Sequence, residues 1–177
     1  MRSMTSLSLV GAALLAGSAS FSLAAEAQGS AAILGVTLID TSTEGDYNPP
    51  REDETARIAL LRGQLANSLA GKGWTLIDPA PVADQLDRVG NPADCNGCDA
   101  RLGAELGADV AVTAEVQKVS NLILTINVLV RDTGSGDLVA VGNADIRGNT
   151  DQSWTRGLSW VMRNRIFPLL EAGAAAK

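Results

Sequence analysis

Two successive segments alternate apolar and mixed residues with a period of two, and this pattern narrows the possible folds more than any other feature. Across residues 110–117, Val110, Val112, Ala114 and Val116 alternate with Ala111, Thr113, Glu115 and Gln117. Across residues 122–130, Leu122, Leu124, Ile126, Val128 and Val130 alternate with Ile123, Thr125, Asn127 and Leu129. Successive side chains of a strand point to opposite faces, so both segments predict strands with one buried face. Thr133-Gly134-Ser135-Gly136 supplies a hairpin connection. Residues 138–147 then form the return strand of a three-strand meander whose centre is residues 122–130.

Upstream the period changes. Ile58, Leu61, Leu65 and Leu69 share one face at helical spacing, and Gly71 and Gly73 end that helix. Glu52, Asp53 and Glu54 fall in its first turn, where carboxylates favour the positive end of the helix dipole. Residues 31–40 are a short apolar run and read as a first strand. Residues 41–54 are polar and acidic with Pro49-Pro50, a loop. Residues 74–78 are a short strand, residues 83–89 and 99–106 short helices, and Gly107 a stop. A final helix spans about residues 154–170 with Trp154, Leu158, Val161 and Ile166 inward; Pro168 disturbs its last turn. Trp154 and Trp160 both read as core. Two long helices must bury against a common sheet face. The expected fold is therefore an α/β (α+β) two-layer sandwich. Its mixed sheet has about five strands with a C-terminal three-strand meander, and two main helices lie on one face.

The amino terminus predicts export. Arg2 gives a positive start, residues 7–15 are apolar, and Ala25-Glu26-Ala27 fits a small-residue cleavage site. Cutting after Ala24 is a second option. The apolar stretch is shorter than the ~20 residues of a membrane span and is followed by Ser18, Ser20 and Ser22. No cysteine lies there to carry a lipid. Residues 1–27 are thus expected to be a cleaved signal peptide and residues 28–177 a single soluble periplasmic domain. At 177 − 27 = 150 residues, such a domain is long enough for a proper core.

Composition removes several activities. The net charge of −6 argues against nucleic-acid binding. The chain has no histidine, which excludes Ser-His-Asp and Cys-His catalysis, His-ligated zinc and the usual neutral-pH general base. Three candidate sites remain. Cys95 and Cys98 form a lone CxxC, read as a small disulfide in an oxidising compartment, with a thiol–disulfide exchange centre as the alternative. Asp40, Glu44 and Asp46 with Gly45 partly echo a calcium loop, although Arg51 stands where a bidentate Glu belongs. They are candidates for a calcium or lanthanide site beside the plainer reading of a solvated acidic loop. Arg147, Asn149, Asp151 and Trp154 make a polar string between the last strand and the last helix. Structurally, Asn149 or Thr150 caps that helix and Arg147 pairs with Asp145 or Asp151. Functionally, the string is a partner or small-ligand site.

Three strings carry a family resemblance. They are Cys95-Asn96-Gly97-Cys98, residues 117–124 (QKVSNLIL) and residues 145–154 (DIRGNTDQSW). Together they resemble exported proteobacterial proteins catalogued as domain-of-unknown-function family 3280 or 2380, over nearly the whole mature chain. That resemblance implies no established activity; its members' company suggests a link to quinoprotein alcohol oxidation. The order of elements, with Leu106-Gly107-Ala108-Asp109 leading into the meander, is also similar to the amino-terminal domain of TolB and to CsgG-like and penicillin-binding-protein-activator domains. Those relatives act by protein–protein contact in the cell envelope. The expected function is accordingly a non-enzymatic periplasmic binding or accessory domain with another envelope or periplasmic protein as partner and no cofactor. Thiol–disulfide exchange and calcium or lanthanide binding are the alternatives.

Overall fold

A computed structural model describes residues 28–175; the predicted signal peptide, residues 1–27, lies outside the described residues. The first strand, β1 (Gly29–Asp40), is followed by a short helix α1 (Thr43–Tyr47) inside the predicted acidic loop. Ser42 caps it by accepting from the Gly45 amide. Then come the long α2 (Glu52–Ala70), β2 (Trp74–Ile77) and two short helices, α3 (Ala83–Val89) and α4 (Cys98–Glu105). The meander is β3 (Val110–Ser120), β4 (Ile123–Asp132) and β5 (Leu138–Ile146). The chain closes with α5 (Asp151–Val161), a wide π turn (Met162–Ile166) and α6 (Phe167–Ala175).

The sheet is five-stranded and mixed, in the order β2-β1-β3-β4-β5. β1 runs parallel to both β2 and β3, while β3, β4 and β5 are antiparallel. The expected fold class is therefore the observed one, with residues 123–130 of the predicted central strand inside the sheet. Leu61, Leu65 and Leu69 of α2 meet Trp154, Leu158 and Val161 of α5 over Val112, Val116, Ile126 and Val128. This is the aliphatic core under the two long helices. A smaller core lies on the other face, where Val82, Cys98 and Leu102 cover Ala32, Leu34 and Ala111. The small helices thus shield the β1–β3 half of the second face.

Local rules explain the departures. β1 contains a register shift between Ile33 and Gly35, so Ala31 and Ile33 but then Val36 face the large core. Strand alternation disappears because one bulge reverses the phase and both faces are covered. Pro168 cannot donate a backbone hydrogen bond inside a helix. The widened turn before it, with the Phe167 amide bonded to the Met162 carbonyl, lets the helix continue through the proline. Two core expectations are corrected. Trp160 is 41% exposed, since six residues from Trp154 it rotates off the buried stripe. Leu122 is 71% exposed because it sits in the turn between β3 and β4, outside the alternating strand.

Candidate functional site

The inward positions of α2 run Ile58, Leu61, Leu65, Leu69, and one turn earlier that stripe reaches Glu54. The inward positions of β3 run Val110, Val112, Ala114, Val116, and the next reaches Lys118. Both charged residues are fully buried, at 1% and 0% exposure. They meet at 2.8 Å between Lys118 Nζ and Glu54 Oε1. Lys118 Nζ also lies 2.9 Å from Asp40 Oδ2 and 3.6 Å from Glu44 Oε2. Asp40 is opposite Lys118 in the parallel β1–β3 ladder. Three carboxylates thus surround one ammonium, and Ser42 donates from both its amide and its hydroxyl to Asp40.

The network continues through Asn149, whose Nδ2 donates to Glu54 Oε1 and to Asn121 Oδ1. Its Oδ1 accepts from Trp154 Nε1 at 3.0 Å and from Arg57. The Arg57 guanidinium bonds Asp53 and Asp151, each at 2.8 Å, and stands 5.9 Å from the centre of the Trp154 ring. Asn149 therefore uses all four of its hydrogen-bonding capacities. Two strings that sequence separates by a hundred residues, the acidic loop and residues 147–154, become one polar cluster.

This arrangement revises several expectations. Of the two expected caps of α5, Thr150 is the one formed, accepting from the Ser153 amide, while Asn149 turns into the cluster. Arg147 pairs with neither expected partner: Asp151 is taken by Arg57, and Asp145 accepts from the Thr125 hydroxyl. Asp40 and Glu44 face Lys118, so a protein ammonium occupies the position a loop cation would need, while Asp46 is exposed. Among the described residues no group of three or more histidine, cysteine or acidic side chains is placed to hold a metal. Cys95 and Cys98 form a disulfide with Cα atoms 5.5 Å apart, tying the preceding loop to the first residue of α4 on the far face from this cluster.

The cluster sits beyond the carboxyl ends of parallel β1 and β3. From β1 the chain passes through α2 to β2 on one side, and then through α3 and α4 back to β3 on the other. Open α/β sheets build ligand crevices at such reversals. Here the opening is about 160 Å³, walled by Leu38, Pro49, Pro50 and Arg51 above Glu54 and Lys118. That is well below the roughly 300–1,000 Å³ of a typical small-molecule pocket. The geometry makes a platform in which five carboxylates are each engaged by at least one of three cations.

Ionisation follows from these contacts. Burial alone would raise the Asp40 carboxyl, but the bonds from Ser42 and Lys118 outweigh it and hold it below its usual 3.8. Burial alone would lower Lys118, but Glu54 and Asp40 outweigh it and hold the ammonium above its usual 10.5. A depressed carboxylate stabilises above its unfolded pKa and loses that contribution as pH falls through the folded value. A raised ammonium stabilises below its unfolded pKa and loses it as pH rises through the folded value. Melting temperature should accordingly be flat from about pH 5 to 10 and fall on both sides. A pH series by circular dichroism checks this; a maximum confined to acid pH would contradict it.

A family model described as "Protein of unknown function (DUF2380)", named DUF3280, matches residues 29–166. The chain belongs to this family. The DUF3280 match runs from the start of β1 to the end of the π turn and includes every residue of the polar cluster. No curated protein matches the chain. Among solved structures it is similar to the LpoB C-terminal domain from Salmonella enterica, at 12% identity and a TM-score of 0.48, covering 70% of this chain and 86% of that one. It is also similar to lipoprotein GNA1162 from Neisseria meningitidis, at 16% identity and a TM-score of 0.47, covering 84% and 94%. A third is the PelC dodecamer from Paraburkholderia phytofirmans, at 12% identity and a TM-score of 0.43, covering 77% and 87%. None of these three is named as a TolB or CsgG domain, two of the three architectures that the order of elements suggested. Among the described residues no helix is long and apolar enough to cross a membrane.

Proposed function

We propose that this DUF3280 member is a periplasmic accessory domain, not an enzyme, which binds another envelope protein through the end of the sheet above the Lys118 cluster. The observation that carries this reading is a concentration of exposed apolar side chains there. Tyr47 is 83% exposed, and Val119 and Ile123 stand exposed with Leu122 at the turn between β3 and β4. Asn121 Nδ2 donates to Glu44 Oε2 at 2.9 Å, tying that turn to α1, which carries Tyr47. Exposed aromatic and aliphatic groups on a rigid base are what an interface anchor needs. The base itself offers no free nucleophile or base for chemistry, since its ammonium and carboxylates are engaged with one another. Of the predicted partner site, Asn149 and Trp154 brace this platform from within, whereas Arg147 and Asp151 are exposed. The export signal in residues 1–27 supports the compartment.

Site-specific photocross-linking in the periplasm tests the proposal. A photoreactive residue at Leu122 should give one discrete adduct, and the same residue at exposed Ala59 on α2 should not. The captured protein should be an envelope component, with members of a quinoprotein alcohol oxidation system first to be checked. Leu122→Asp in the purified protein should then weaken binding to that partner by about tenfold or more. Equal, diffuse labelling at both positions would sink this reading.

A further inference from the structure

A second surface, which begins beside the Leu122 turn, has different chemistry from the Tyr47–Leu122 end. Among the described residues β5 is the last strand of the sheet and pairs only with β4. Every second N–H and C=O along an edge strand points outward. Among the described residues no backbone or side-chain group satisfies those of Leu138–Ile146. Natural edges are commonly protected by lysine, proline or a covering element. Residues 138–144 (LVAVGNA) hold no charge and no proline.

Beside this edge runs a groove of about 520 Å³ between the end of β5 and α5. Arg147, Arg156 and Arg165 line it together with Trp160. Gly157 sets its depth: a Cβ there would come within 2.5 Å of Ile146, so the helix lies close on the strand. The Arg165 guanidinium is 5.4 Å from the centre of the Trp160 ring. None of the three arginines forms a salt bridge with a described residue. The one carboxylate in the groove, Asp145, accepts from Thr125. Three cations without carboxylate partners are gathered here on a chain whose net charge is −6.

We propose that the groove between the free edge of β5 and α5 receives an extended acidic segment of a partner protein as a sixth strand of the sheet. Main-chain hydrogen bonds to β5 would supply the pairing, and the arginines would select acidic side chains. The charge of the groove favours this occupant over a second copy of the same acidic chain.

The test uses the purified protein and a fluorescent peptide of the same nine-residue length as β5, alternating valine and glutamate. Fluorescence anisotropy should show saturable binding, with the valine–lysine peptide at least about tenfold weaker. Arg156→Glu and Arg147→Glu should each weaken the acidic peptide by about tenfold while leaving the circular dichroism unchanged. Two N-methylated forms of the peptide, blocked at odd or at even residues, separate strand addition from simple charge attraction. Strand addition uses one set of amides, so one form should lose binding and the other keep it. No binding by the acidic peptide, or equal binding by both N-methylated forms, would overturn the proposal. So would a self-association of the protein that excludes the peptide.

Discussion

Replacing Lys118 with methionine is expected to cost about 3–5 kcal/mol of folding stability, because it leaves the Glu54 carboxylate buried without its cation. Methionine matches the length of the lysine stem, so packing against Leu124 and Val116 is largely kept and the loss is electrostatic. Asp40 is less affected, since its side chain is 20% exposed and retains both Ser42 donors. Glu54 has no such relief, with a side chain only 2% exposed. Adding Glu54→Gln to Lys118→Met should therefore recover most of the loss while still accepting from Asn149. Urea unfolding of the wild type, the single variant and the pair measures this directly. A single-variant loss below about 1 kcal/mol, with no recovery in the pair, would mean that the ammonium does not compensate Glu54.

Trp154→Ala should lose a similar amount, about 3–5 kcal/mol, through the cavity it opens in the main core. The indole is fully buried, and its Nε1 holds one of the two bonds to Asn149 Oδ1. Trp154→Phe separates these contributions. It keeps most of the apolar contact and removes the donor, so its loss should be nearer 1 kcal/mol plus a smaller packing term. Thermal unfolding followed by calorimetry compares the two. Equal losses for alanine and phenylalanine would shift the weight from packing to the Asn149 bond.

The parts of the fold legible in the sequence were those governed by one periodicity and one covered face. β4 and the α2 stripe follow their periodicity closely, since each presents a single side to the core, and β3 keeps its alternation of residue types although Ala111 and Thr113 on its other side are buried as well. β1 was legible as a strand, but its bulge was not, because a run buried on both faces carries no alternation to interrupt. Leu122 matches the alternating pattern and still emerges on the surface, since the turn extends to the residue before β4. The polar cluster was half legible. Asp40, Glu44, Asn149, Asp151 and Trp154 stand out as polar or aromatic groups in short strings. Lys118, Glu54 and Arg57 were missed because each looks like a surface charge at the end of an element. The signal was present in the phase: position 54 continues 58, 61, 65 and 69, and position 118 continues 110, 112, 114 and 116. A charge in the next inward slot of two separate stripes, with opposite signs, marks a buried pair. Nothing in the sequence alone says that those two slots meet.

The residues of β1 from Ala31 to Ile39 are nearly all apolar, and such a segment could pair with β3 in several alignments at little cost in hydrophobic contact. Asp40 ends that run and Lys118 stands directly opposite it. Sliding β1 by one position would carry Asp40 to the other side of the sheet and leave the ammonium facing a gap. The ion cluster thus acts as an index mark: it assigns one alignment to a strand whose own composition is indifferent to the choice, and so fixes where α1 and the turn at Leu122 come to lie.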